Sequence, residues 1–206
     1  MTIPEIFTVL EKQCDDSLKI IDTVNKPEYL ETDEKKTIRD LVVMQAFMRV
    51  FNAWEQFLEN STKAYALGEK SLLGYSPPKY VNPLDEDHAD RLIKGTNTYP
   101  DWTDAEKVLK IETAFFENGE PYTTALNGFS SKYKEIKKVR NEIAHNSKNS
   151  KDEFDTLVRN VLRASAVGIS VTDFLLSRKH RTDPYFYWSY ITYIKNAARL
   201  ISEFKP

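Results

Sequence analysis

The sequence predicts an all-α protein, a helical bundle, and three observations carry that prediction. Apolar residues recur at alternating three- and four-residue steps through most of the 206 residues. No period-two stretch bounded by hairpin turns interrupts them, so β-structure is minor at most. Glycine and proline, which break helices, concentrate in residues 69–103 and at a few short junctions.

Taken in order, Ile3, Phe7, Leu10, Cys14 and Ile21 form the stripe of a first amphipathic helix, with Ser17 in the remaining position. Asn25-Lys26-Pro27 ends it. Thr32, followed by the acidic pair Asp33 and Glu34, has the chemistry of a helix entrance: a capping hydroxyl, then acids near the positive end of the dipole. The helix that follows should run to about Gly68. It carries two adjacent stripes, Val43, Phe47, Val50, Trp54, Phe57 and Met44, Met48, Phe51, Glu55, Leu58, and so belongs in the middle of a bundle. Glu55 stands where the pattern expects a hydrophobe.

Residues 69–103 read as a long inserted loop, punctuated by Gly74, Ser76-Pro77-Pro78, Asn82-Pro83, Gly95 and Tyr99-Pro100, with a short helix over about Asp87–Lys94. Asp101 or Thr103 introduces a helix through Val108, Ile111 and Phe115, ended by Asn118-Gly119. The next begins after Pro121 or Ser130 and has the stripe Leu126, Phe129, Tyr133, Ile136, Arg140, Ile143, in which Arg140 interrupts a core-facing line. The polar run Asn146–Ser150 reads as a loop. Leu157, Val161, Ala164, Gly168, Val171 and Leu175 mark another long helix, and Tyr190, Ile194, Ala197, Ile201 and Phe204 an accessory C-terminal helix over about residues 186–204. The expectation is a single domain over residues 1–206, with four core helices, the accessory helix and the insertion.

Composition narrows the setting. Cys14 is the one cysteine, so no internal disulfide forms, and its apolar position predicts a buried thiol in a reducing compartment, the cytoplasm. No run approaches the roughly 18 apolar residues of a membrane span, and residues 1–5 lack the basic start of a leader. The net charge of −2 is unevenly spread. Residues 130–181 hold 12 basic against 6 acidic side chains, while residues 1–129 hold 14 against 23. That basic island suits a phosphate-bearing partner, and solvated lysine faces give the same count.

Gly-rich phosphate loops, Cys/His zinc patterns, H-E-x-x-H and G-x-S-x-G are all lacking, which removes the common enzyme classes they mark. What remains is Val139-Arg140-Asn141-Glu142-Ile143-Ala144-His145-Asn146. It resembles the R-x4-H motif of HEPN domains, including the Asn after the Arg and the small residue before the His. Ala53-Trp54-Glu55-Gln56-Phe57-Leu58 is similar to the Trp-Glu-x-Phe segment of several bacterial HEPN families. The resemblance spans about residues 38–175, is weakest across 69–103 and does not reach the last helix.

The resemblance implies metal-independent, cofactor-free RNA cleavage in which the ribose 2′-hydroxyl attacks the adjacent phosphate and leaves a 2′,3′-cyclic phosphate. The residue chemistry is compatible with that. An imidazole titrates near neutral pH, so His145 suits proton transfer, and Arg140 offers a planar cationic fork to phosphate oxygens. Asn141 can hold a phosphate oxygen or orient the imidazole, and Glu55 can orient Arg140 from a facing helix. Lys134, Lys137 and Lys138 are the first candidates for backbone phosphate contacts. Similar stand-alone bacterial domains act as growth-arresting toxins or antiviral defence effectors, so a cognate antitoxin or defence partner is expected alongside RNA. HEPN domains generally pair, and one motif histidine per chain is one short of an acid and a base, so a homodimer is expected.

Each of these residues also has a reading without catalysis. Arg140 and His145 near a helix C-terminus both favour the negative end of the dipole, and Glu55 can be a buried ion-pair partner. A HEPN-like dimerisation or regulatory module that binds RNA or protein is the rival function. Five residues on an ideal helix turn through about 140°, so Arg140 and His145 share a site within one chain only if the helix ends or distorts near Ala144. The acidic run Asp85-Glu86-Asp87-His88 with Asp90 reads as a solvated loop before a metal site. Arg178-Lys179-His180-Arg181 can grip a phosphate backbone or simply be surface, and Tyr185-Phe186-Tyr187-Trp188 can stack bases or plug the terminal helix into the bundle.

Overall fold

The computed structural model describes residues 1–95, 100–163 and 165–206. Among the described residues it has eight α-helices and no strand, only an isolated antiparallel bridge between Lys79 and Phe116. The helices are α1 (Ile3–Val24), α2 (Asp33–Leu67), α3 (Glu86–Lys94), α4 (Ala105–Phe115), α5 (Tyr122–His145), α6 (Lys148–Leu162), α7 (Val171–Leu175) and α8 (Phe186–Ser202). No described helix is long and apolar enough to cross a membrane.

Local chemistry accounts for most of these limits. Thr32 accepts the Lys35 amide at the start of α2, and at its end Gly68, at φ +99°, turns the chain so that the Glu69 amide reaches the Ala64 carbonyl at 3.0 Å. Asp85 caps α3 by accepting the His88 amide at 2.7 Å. Asp104 caps α4, rather than Asp101 or Thr103, because its carboxylate reaches the amides of both Glu106 and Lys107. Asp101 instead accepts from Thr103 in a local turn. α5 starts directly after Pro121.

Two expectations fail after α5. Asn146–Ser150 is not a loop: only Asn146 and Ser147 lie between the helices, Asn146 at φ +41° leaves helical space, and Ser147 caps α6 in a reciprocal box with Ser150. The single long helix through Leu175 is two. Arg163 at φ +53° and Gly168 at φ +78° leave helical space, and Ser170 with Asp173 forms the capping box that starts α7. Ala164 of the expected stripe, and Tyr99 of the expected turn, lie outside the described residues.

The chain divides into two compact units, and the division falls within α1, α2, α5 and α8. The first comprises residues 1–11, 53–133 and 194–206. Its core sets Trp54 flat against Phe57 at 5.6 Å and edge-on to Phe129 at 6.3 Å, with Tyr122 donating to Ser61 and Tyr65 to the Ile201 carbonyl. The described residues of segment 69–103 are tied to this core at several places. The Ser71 hydroxyl donates to the Phe204 carbonyl, the Tyr80 amide to the Phe115 carbonyl, and the Trp102 carbonyl accepts from Tyr133 at 2.6 Å.

The second unit comprises residues 12–52 and 134–193. Phe174 is its hub, stacked on Phe186 at 4.6 Å and edge-on to Phe154 at 5.6 Å. Tyr190 packs edgewise on Phe47 and donates to Glu135 of α5 at 2.9 Å. This bond ties α8 to α5 about a turn and a half before the motif. Cys14 is buried in this unit and forms no disulfide.

Candidate functional site

The motif occupies the last turn and a half of α5, in the second unit. The helix stays regular through His145, and the Asn146 amide closes it onto the Glu142 carbonyl at 3.0 Å. It therefore ends one residue later than Ala144, and the rotation of about 140° between Arg140 and His145 is kept. The two residues face different ways within one chain. His145 is exposed and Arg140 half-buried.

Helical phase shows what His145 does share a face with. On an ideal helix, residues 134, 138, 141 and 145 fall within about 60° of one another, and 137 flanks them. Lys134, Lys138, Asn141 and His145 thus form one stripe about 16 Å long, with Lys137 at its edge. Lys134 is exposed, and Lys137, Lys138 and Asn141 are half-buried. The sequence-predicted phosphate contacts and the imidazole come together on this stripe. Arg140 lies off it, its guanidinium 5.6 Å from the centre of the Phe51 ring and one nitrogen 3.4 Å from the Asn141 side-chain oxygen.

The core-facing line runs differently from the expected one. Leu126, Phe129, Tyr133, Ile136, Val139 and Glu142 are buried, while Arg140 and Ile143 are only half-buried. The polar residue truly set in the apolar line is Glu142, which sequence reasoning passed over although it lies inside the motif. Its carboxylate accepts the Ser150 hydroxyl at 2.7 Å, and Ser150 Oγ in turn accepts the Ser147 amide at 2.9 Å. The start of α6 is thereby clamped to α5 immediately beyond His145. The available signal was a Ser-x-x-Ser capping pattern just after a helix end.

Glu55, half-buried on α2, belongs to the first unit, with Tyr133 among the groups whose charge it influences. The acidic run at Asp85 is engaged in local structure: Asp85 caps α3, His88 Nδ1 accepts the Leu84 amide, and Asp90 pairs with Lys63 at 2.6 Å. Among the described residues no group of three or more His, Cys, Asp or Glu gathers as a metal set. The aromatic run divides, Phe186 and Tyr187 being buried, Tyr185 half-buried and Trp188 exposed.

No family model, curated protein or solved structure matches the chain.

Proposed function

We propose that this chain is a metal-independent endoribonuclease of the HEPN type, acting as a homodimer on cytoplasmic RNA, with a growth-arresting or antiviral role. The observation that carries the reading is the exposed imidazole of His145 standing in line with Asn141, Lys138 and Lys134 on a regular helix. Cations along that line suit a polyanion, and a proton-transfer group at its end suits a phosphodiester. In the reaction, a base takes the 2′-hydroxyl proton, the 2′-oxygen bonds to phosphorus, and the 5′-oxygen leaves with a proton from an acid. The products are a 2′,3′-cyclic phosphate and a 5′-hydroxyl. Arg140 contributes charge to the phosphate oxygens, and Asn141 orients a phosphate oxygen or the imidazole. Glu55 of the Trp-Glu-x-Phe segment and the four core helices enter from the family resemblance, which does not reach the last helix.

Arg140 and His145 diverge on one chain, which favours a site assembled from two copies, each supplying one imidazole. The contact of Arg140 with Phe51 is the observation that favours the rival reading, a non-catalytic dimerisation or regulatory module in which Arg140 is structural. The deciding experiment incubates purified protein with end-labelled RNA in excess EDTA and analyses the new ends. Cyclic phosphate ends that vanish in His145→Ala establish the enzyme. RNA bound but left intact by the wild-type chain establishes the module.

A further inference from the structure

The loop that joins α7 to α8 holds a second concentration of charge. Arg178, Lys179, His180 and Arg181 follow one another and all are exposed. The nearest acid in the loop, Asp183, is turned back on the backbone, accepting the His180 amide at 3.1 Å while its own amide donates to the His180 carbonyl at 3.0 Å. A hydrogen bond from the Phe186 amide to the Ser177 carbonyl, at 3.1 Å, closes the loop at its base. These bonds close the turn that carries the cations.

Aromatic rings stand beside them. The Arg178 guanidinium lies 3.9 Å from the centre of the Tyr185 ring and donates to the Arg181 carbonyl, and Tyr185 stacks on Tyr187. Tyr187 is fixed in turn by donating to Asp22. Trp188 is one turn beyond Tyr185 and shows 44% of its surface to solvent. Cations for phosphates and an exposed indole for a base are the two components of a single-strand binding surface, and both lie between residues 178 and 188.

We infer that the Arg178–Tyr185 loop and Trp188 form a docking platform for single-stranded RNA, distinct from the α5 stripe and in the same unit. The identity of the polymer rests on the ribonuclease reading. Lys179 and Arg181 contact phosphates, and Trp188 stacks on a base. An anionic membrane also answers to cations and an interfacial indole, so the choice of single-stranded RNA rests on the Lys134–His145 stripe in the same unit, and a membrane and an acidic peptide are outcomes of the test.

The test is fluorescence anisotropy of a 2′-O-methylated single strand, uncleavable because its nucleophile is blocked, titrated with the full chain. Lys179→Glu/Arg181→Glu should weaken binding by about tenfold or more and lower the salt slope by roughly one to two. Trp188→Leu should weaken it roughly tenfold, and RNA should quench indole emission in the wild type but not in Trp188→Phe, since Trp54 and Trp102 are buried. Unchanged affinity in the charge reversal, or quenching that survives Trp188→Phe, overturns the platform. Equally tight binding of polyglutamate or anionic vesicles overturns it in favour of those partners. RNA held by the loop without cyclic phosphate ends in the cleavage assay rejects the ribonuclease reading alone. Cleavage with loop variants that bind like wild type rejects the platform alone.

Discussion

Ser150 donates its hydroxyl proton to the buried carboxylate of Glu142 at 2.7 Å, and the same oxygen receives the Ser147 amide. One side chain therefore both caps α6 and satisfies a carboxylate set in an apolar line. Ser150→Ala removes both functions and leaves Glu142 without this donor, at a cost of about 2 kcal/mol. Urea denaturation measures that loss. Hydrogen exchange should locate it, with faster exchange of the first-turn amides of α6. A variant as stable as wild type would mean that the clamp contributes nothing.

The second prediction concerns Glu112, which is wholly buried in the first unit and accepts the Thr62 hydroxyl. Burial holds its carboxyl well above the ordinary value, and the Thr62 bond opposes this more weakly. The native state thus keeps a proton that the unfolded chain releases near pH 4.5. This contribution to stability is complete below that pH and is lost as pH rises toward the raised native value, by up to about 1.4 kcal/mol per pH unit. Glu112→Gln should remove the slope. The check is the difference between the variant's and the wild type's unfolding free energies from pH 4.5 upward, and a difference independent of pH contradicts the assignment.

A pair of glycines separates backbone strain from crowding. Gly74 and Gly119 both sit at positive φ, +84° and +68°, but a Cβ at Gly74 meets nothing within 4 Å. At Gly119 it would stand 2.6 Å from Thr123 Oγ1 and 2.9 Å from Thr113 Cγ2. Gly74→Ala should cost about 1 kcal/mol and Gly119→Ala clearly more, read as the order of thermal midpoints.

The helix starts at Thr32 and Pro121 were legible because a cap or a breaker marks each one, whereas Asp85, read as part of a solvated acidic loop, caps α3. The break between α6 and α7 was hidden by phase. Leu157 and Leu175 are separated by about five full helical turns, so the apolar stripe continues across a segment where the backbone leaves the helix. Only Gly168 and the Ser170-x-x-Asp173 box marked it. Within the site, His145 and the lysines were legible as residue types, and helical periodicity alone aligns them once α5 is known to be unbroken. Glu142 was not, since a carboxylate is ordinarily placed outside and its partner hydroxyl lies beyond the break that Asn146 makes at positive φ.

The last prediction joins His145 to assembly. Because His145 is exposed at a helix end, His145→Ala should change stability by no more than about 0.5 kcal/mol while removing cleavage. That makes its chains a clean diluent for wild type. Each chain supplies one motif histidine, and the reaction needs one group to take a proton and another to give one. Arg140 does not share a face with His145 on the same helix, so a complete site draws on both copies of a two-fold dimer. With subunits that exchange freely and pair at random, wild-type chains are titrated with His145→Ala chains at constant total concentration. If both histidines are required, only wild-type pairs cut, and activity falls as the square of the wild-type fraction. A linear fall would show that each chain, or each half of the cleft, works alone, and the composite site would have to be given up.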